Sequence, residues 1–285
     1  MEWYRNIKRY MIGDDVRAVK DRLVELGYLA KATHNMYGDD TYRAVKAFQA
    51  VSNLQQDGIV GILTYTALFE EPQPIPSDIP EWYSPAIRTE LSLALANTSA
   101  KRREICQLAL RYCVDRNTNP VVLRCFYIRG ANLYDKDLSL HVMTQARLDS
   151  YFRRSAYEPY YDGGRKEMMI KQSKAKNYTI PGADCSGFIV GLWRKTGVVR
   201  NDFDASANTL YNSYCVPTKN PQPGDLAHKD GHIGLYCSPN LIVEDAGGAY
   251  GVQLTRPKDR SLLNFVDRKI HKLTKWSHAG DPKVY

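Results

Sequence analysis

Apolar residues recur at helical spacing through most of the first hundred residues and switch to alternation beyond residue 220. GDDVRAVKDRL at 13–23 returns imperfectly as GDDTYRAVKAF at 38–48, each opening on acidic residues that suit a helix N-terminus. Val16, Val19, Leu23 and Leu26 share one face, closed by Gly27; Tyr42, Val45, Phe48 and Gln49 share another. After a turn at DGIVG (57–61), residues 63–69 predict a third short helix. Three thin apolar faces can be buried only against one another, so residues 1–70 read as a three-helix bundle. The stretch 70–85 carries five prolines, which predicts an extended spacer over 71–85 and a domain boundary.

The second domain is expected over 86–285. Helices are predicted over 87–96 and from Ser99, the latter with Ile105, Leu108, Ala109, Tyr112 and Cys113 on one face. A strand over 121–128 and an amphipathic helix over 138–156 follow, and residues 86–137 form a helical extension to which no role attaches. GADCSGFIVGLWRKTG at 182–197 reads as a loop and then a helix, capped by Asp184 and ended by Gly197. Residues 225–227, 232–236, 241–245 and 251–255 alternate as short strands between turns. The fold class is therefore α+β, a helical bundle followed by an antiparallel sheet packed on the 185 helix.

Composition narrows the class. With 44% hydrophobic and 25% charged residues in 285, the chain is globular, neither disordered nor fibrous. No apolar run approaches the ~18 residues of a membrane span. The opening MEWYRNIKRYMIGDD has no apolar core, which predicts synthesis in the cytoplasm without a secretory signal. Six cysteines at irregular spacings favour reduced thiols, with Cys106 and Cys113 in the core. A net charge of +8 favours a polyanionic partner; with no nucleic-acid motif, an anionic cell-wall polymer is preferred to nucleic acid.

The candidate chemistry lies between 157 and 256. Cys185 falls at a helix N-terminus, where backbone N–H groups and the helix dipole favour a thiolate and can hold an oxyanion. A turn at 237–239 pairs Tyr236 with Asn240, and continuing that register sets His232 opposite Glu244. His232, Gly234, Tyr236, Ile242 and Glu244 then share one face, with Asp245 on the apolar face. A carboxylate on one imidazole nitrogen leaves the other for the thiol. His228, a rival base, precedes the KDG turn and is expected to be exposed. Cys215, His228, His232 and Cys237 lack paired-ligand spacing, so neither metal nor cofactor is expected.

Two resemblances join these observations. GDDVRAVKDRLVELGYL, YGDDTYRAVKAFQ and DGIVGILTYTAL resemble the small three-helix peptidoglycan-binding domains attached to wall hydrolases, with Ile62 where that family usually has proline. DCSGF at 184–188, PGDL with GHIGLY within 223–236, and PYYDGG at 159–164 resemble the NlpC family of papain-like cysteine peptidases. That resemblance implies Cys185 as nucleophile, His232 as general base and acid, and Glu244 as third member where many relatives carry histidine. It implies Tyr160 beside the nucleophile and Asp184 and Ser186 as substrate contacts. A long insertion at 165–183 departs from the pattern. The implied activity is a peptidoglycan hydrolase cutting between γ-linked D-glutamate and diaminopimelate or lysine. Rivals are an N-acetylmuramoyl-L-alanine amidase with the same triad, a papain-like acyltransferase and a catalytically dead wall binder. Without a leader, such an enzyme is expected to be phage endolysin-like, released through a holin; the sequence assigns no oligomeric state.

Overall fold

A computed structural model describes residues 5–51, 54–69, 79–96, 98–117 and 121–285. The chain divides into two compact units, residues 1–77 with 85–93 and residues 78–84 with 94–285. In the first, the repeat folds as Asp14–Glu25 (α1) and Asp39–Val51 (α2), followed by Ile62–Phe69 (α3). Val16, Val19 and Leu23 meet Val45, Phe48, Tyr65 and Leu68 in one core. Leu26 escapes that face at 39% exposure, because α1 ends at Glu25 and Gly27 reverses the chain at φ 78. Gln49 is buried, and its side-chain amide donates to Asp57 Oδ1 (2.9 Å) and the Ile59 carbonyl (3.0 Å) while accepting from Gly58 N–H (2.9 Å). One buried amide on α2 thus fixes the 57–61 turn.

Residues 71–78 of the expected spacer lie outside the described residues. Tyr83, near its end, is buried in the second unit, donating its hydroxyl to the carbonyls of Leu110 and Cys113 at 2.9 Å each. Pro85–Ala96 (α4) and Ala100–Leu110 (α5) follow, with Cys106 and Cys113 fully buried.

Two expectations are corrected here. The strand expected over 121–128 is only Phe126–Tyr127 (β1), paired in parallel with Gly182–Ala183 (β2). The helix expected over 138–156 is confined to Gln145–Phe152 (α6), because Leu138 sits at φ 64 and Thr144 caps α6 by accepting from Arg147 N–H at 3.2 Å. Glu158–Tyr161 (α7) carries Tyr160, and the insertion at 165–183 opens with Arg165–Ala175 (α8).

Cys185–Lys195 (α9) and Ala207–Tyr214 (α10) precede the sheet. Its strands are Cys215–Pro217 (β3), Leu226–Lys229 (β4), His232–Ser238 (β5), Leu241–Asp245 (β6) and Val252–Thr255 (β7). Ser261–Leu263 (β8) and Ile270–Lys272 (β9) make a separate hairpin, and His278–Pro282 (β10) returns to the main sheet. Strand order is β3-β10-β4-β5-β6-β7, antiparallel throughout. Phe188, Ile189, Val190, Leu192 and Trp193 bury nearly all of α9, which packs on β5 and β6. The architecture is α+β, an N-terminal helical unit and an antiparallel sheet on the Cys185 helix.

Candidate active site

Asp184 anchors the first turn of α9. Its Oδ1 accepts from Gly187 N–H and the Ser186 hydroxyl, and its Oδ2 from Gly130 N–H, each at 2.8 Å. The Asp184 N–H donates to the Ala131 carbonyl at 2.9 Å. A Cβ on Gly187 would come within 2.0 Å of that same carbonyl, so only glycine admits this approach. The segment around 126–132, without a role in the sequence, therefore forms a wall of the site.

Cys185 is 5% exposed, its Sγ 3.9 Å from the Gly231 carbonyl. Burial pushes the thiol up to about 12, helped by the carboxylates of Asp184 and Asp245, against lowering contacts from the Ile233 and Ser186 backbone. A helix N-terminus by itself does not make this cysteine a thiolate. It needs a base, and the backbone on both sides of His232, at Gly231 and Ile233, touches the thiol.

His232 Nε2 lies 2.7 Å from Glu244 Oε2, which leaves Nδ1 as the nitrogen without that partner. The expected direct pairing of the two does not hold. Gly234 faces Glu244 and Tyr236 faces Ile242, because the hairpin turns at 239–240, with Ser238 opposite Leu241, and a bulge between Tyr236 and Ser238 takes up one residue and returns His232 and Glu244 to one face. His232 pairs with Lys229 on β4 and reaches Glu244 along the diagonal. A shift by two positions keeps side chains on their original face, so the contact survives. Trp276 stacks on the imidazole at 5.1 Å and 14°. A Cβ on Gly234 would lie 3.0 Å from that indole.

Glu244 is fully buried, yet held down at about 2: burial raises it, and the hydrogen bonds and charges of His232 and Arg260 more than offset that. Arg260 donates to both carboxylate oxygens, Nε to Oε1 at 2.9 Å and NH2 to Oε2 at 2.5 Å, and Thr255 Oγ1 donates to Oε1 at 2.7 Å. Asp245, on the opposite face as expected, is 1% exposed with neither oxygen hydrogen-bonded. Burial, Asp184 and Glu244 raise it well above the usual carboxylate range.

His228 is buried, not exposed as its sequence position suggested. It stacks on Tyr211 at 4.4 Å, and its Nε2 lies 3.0 Å from Asn208 Oδ1. Asn208 Oδ1 also accepts from Gly231 N–H at 2.8 Å, and its Nδ2 donates to Asp230 at 2.7 Å, so α10 holds the turn that delivers His232. Tyr160 stacks on Tyr127 at 6.2 Å. Tyr127 lies within electrostatic reach of Cys185; burial first, then Cys185, raise its hydroxyl. Beside Cys185, a cleft of ≈ 450 Å³ is lined by Arg129, Asn132, Tyr157, Asp184, Ser186 and Asp204. Among the described residues no cluster of three or more His, Cys, Asp or Glu gathers as a metal site, and no helix is long and apolar enough to cross a membrane.

Residues 158–266 match the NlpC/P60 family and residues 12–68 a putative peptidoglycan binding domain. The second unit carries an NlpC/P60 domain. NlpC/P60 proteins are cysteine peptidases acting on peptidoglycan, and this protein is a peptidoglycan hydrolase with a peptidoglycan-binding domain at its N-terminus. No curated protein and no solved structure matches the chain. The NlpC/P60 match spans Tyr160, Cys185, His232, Glu244 and Arg260, whereas Tyr127 and Trp276 come to the site from outside it. No local pattern in the sequence marks Tyr127, Arg260 or Trp276; only folding brings them to the imidazole and the thiol.

Proposed function

We propose that the protein cleaves the peptidoglycan stem between γ-linked D-glutamate and diaminopimelate or lysine, with Cys185, His232 and Glu244 as catalytic triad. The observation that carries this reading is the 2.7 Å His232–Glu244 contact, with the backbone flanking His232 against the Cys185 thiol. Glu244 orients the imidazole and stabilises its protonated form. His232 takes the thiol proton as Sγ attacks the carbonyl, and returns it to the leaving amine. N–H groups at the first turn of α9, with the Tyr127 hydroxyl supported by Tyr160, steady the oxyanion. Water then resolves the thioester. Asp184 and Ser186 line the cleft where the glutamyl side of the stem would lie.

The pairing of wall binder and peptidase suits an endolysin acting once the membrane has been opened. Its expression should lyse a bacterial host only together with a holin; lysis without one would exclude this placement. The bond is tested by incubating wild type and Cys185→Ala with peptidoglycan of both stem types and reading new amino termini by mass spectrometry. A new amine on diaminopimelate or lysine, absent with the variant, is expected. One on L-alanine would make the enzyme an amidase, and fragments that persist in Cys185→Ala would remove Cys185 from the chemistry.

A further inference from the structure

Arg260 is 3% exposed and does more than balance a charge. A carboxylate offers about four lone-pair sites, and those of Glu244 meet Thr255, Arg260 twice and His232. That carboxylate has one orientation. The same guanidinium lies 4.7 Å from the centre of the Trp276 ring and donates from NH1 to the Thr274 carbonyl at 2.6 Å. Arg260 thus ties down the 274–276 segment whose indole covers the imidazole.

We propose that Arg260 is a positioning residue for His232: a single buried guanidinium fixes both the carboxylate at the edge of the ring and the indole on its face. The inference rests on the reading of His232 as the base. A planar fork holds two carboxylate oxygens side by side and a carbonyl from separate, fixed nitrogens, a geometry that the single nitrogen of an ammonium group does not reproduce. Other charged or titratable groups near this pair are Cys113 and Asp245, which lie within electrostatic reach of Glu244, and His228, which senses His232. None of the three is hydrogen-bonded to the imidazole in the way Glu244 is.

The test is the rate of Cys185 alkylation by iodoacetamide across pH 5–10, read at Cys185 by mass spectrometry, together with kcat and KM on a soluble muropeptide. Wild type, H232A, E244Q, R260Q, R260K and E244Q/R260Q are compared, with circular dichroism to verify folding. R260Q is expected to lower both neutral-pH alkylation and kcat at least about tenfold, the usual scale for losing a group that orients a reacting one. KM should move less than about twofold, and R260Q should add little to E244Q, because both act through one ring. A folded R260Q with the wild-type alkylation profile and kcat overturns the inference. Removing one partner of a buried pair can unfold a protein, and R260K then decides: wild-type kcat overturns it, a comparable loss supports it. If H232A itself leaves alkylation unchanged, the triad reading fails; if only the Arg260 variants do, this inference alone fails.

Discussion

At the residue scale, the site combines a thiol that burial keeps protonated with a carboxylate that burial fails to neutralise. Glu244 gives a signed expectation. Its folded value of about 2 lies below the ordinary 4.5, so its contribution to stability is fully present above about pH 4.5 and disappears as pH falls towards 2. Chemical denaturation at pH 6, 4 and 3 should show a steeper loss for wild type than for Glu244→Gln; equal slopes would mean that the carboxylate is not held down. Tyr127→Phe is expected to lower kcat by about 10²-fold, the scale for one oxyanion donor, while Tyr160→Phe keeps the ring stacked on Tyr127 and most of the activity. Equal kcat for Tyr127→Phe and wild type would remove the hydroxyl from the mechanism. Cys185, His232 and Glu244 were visible in the sequence because each sits in a locally patterned element. Tyr127 was hidden in a segment whose strand is only two residues long.

At the element scale, the first turn of α9 and the turn before β5 deliver the two reacting side chains. Gly187→Ala would drive a methyl group against the Ala131 carbonyl at 2.0 Å, and a loss of roughly 1–3 kcal/mol is expected from such overpacking. Urea unfolding measures it, and an unchanged midpoint would show that the 130–131 segment yields. Asn208→Ala releases the contacts to Asp230 and Gly231. Steady-state kinetics should then show kcat falling with KM nearly constant, whereas unchanged kcat would mean that the turn holds His232 unaided. Element types were legible where period and caps agreed, as in α1, α2, α9, β5 and β6. Over 138–156 the apolar spacing continued through a left-handed Leu138 that no helix contains, so periodicity alone overextended α6.

At the scale of the whole molecule, a unit matching a peptidoglycan-binding domain accompanies the hydrolase, and the chain carries a net charge of +8. Tethering raises the local substrate concentration, and the positive charge adds attraction to an anionic wall. Binding to purified sacculi should therefore weaken as sodium chloride rises from 50 to 500 mM, over which the Debye length falls several-fold, while kcat on a soluble muropeptide changes less. Salt-independent binding would assign recognition to uncharged contacts alone.

The sequence by itself determined the α+β class, the helices α1, α2 and α9 and the strands β5 and β6, the face shared by His232 and Glu244, and the helix start at Cys185. Tertiary structure alone decided the register that sets Gly234, not His232, opposite Glu244. The physical reason is that strand side chains repeat every two residues, so a two-residue slip leaves the pattern of faces unchanged while moving every partner. It also decided that Arg260 and Trp276 meet the carboxylate and the imidazole, with Tyr127 within electrostatic reach of the thiol. Those contacts join segments far apart in the chain, and no local periodicity encodes them.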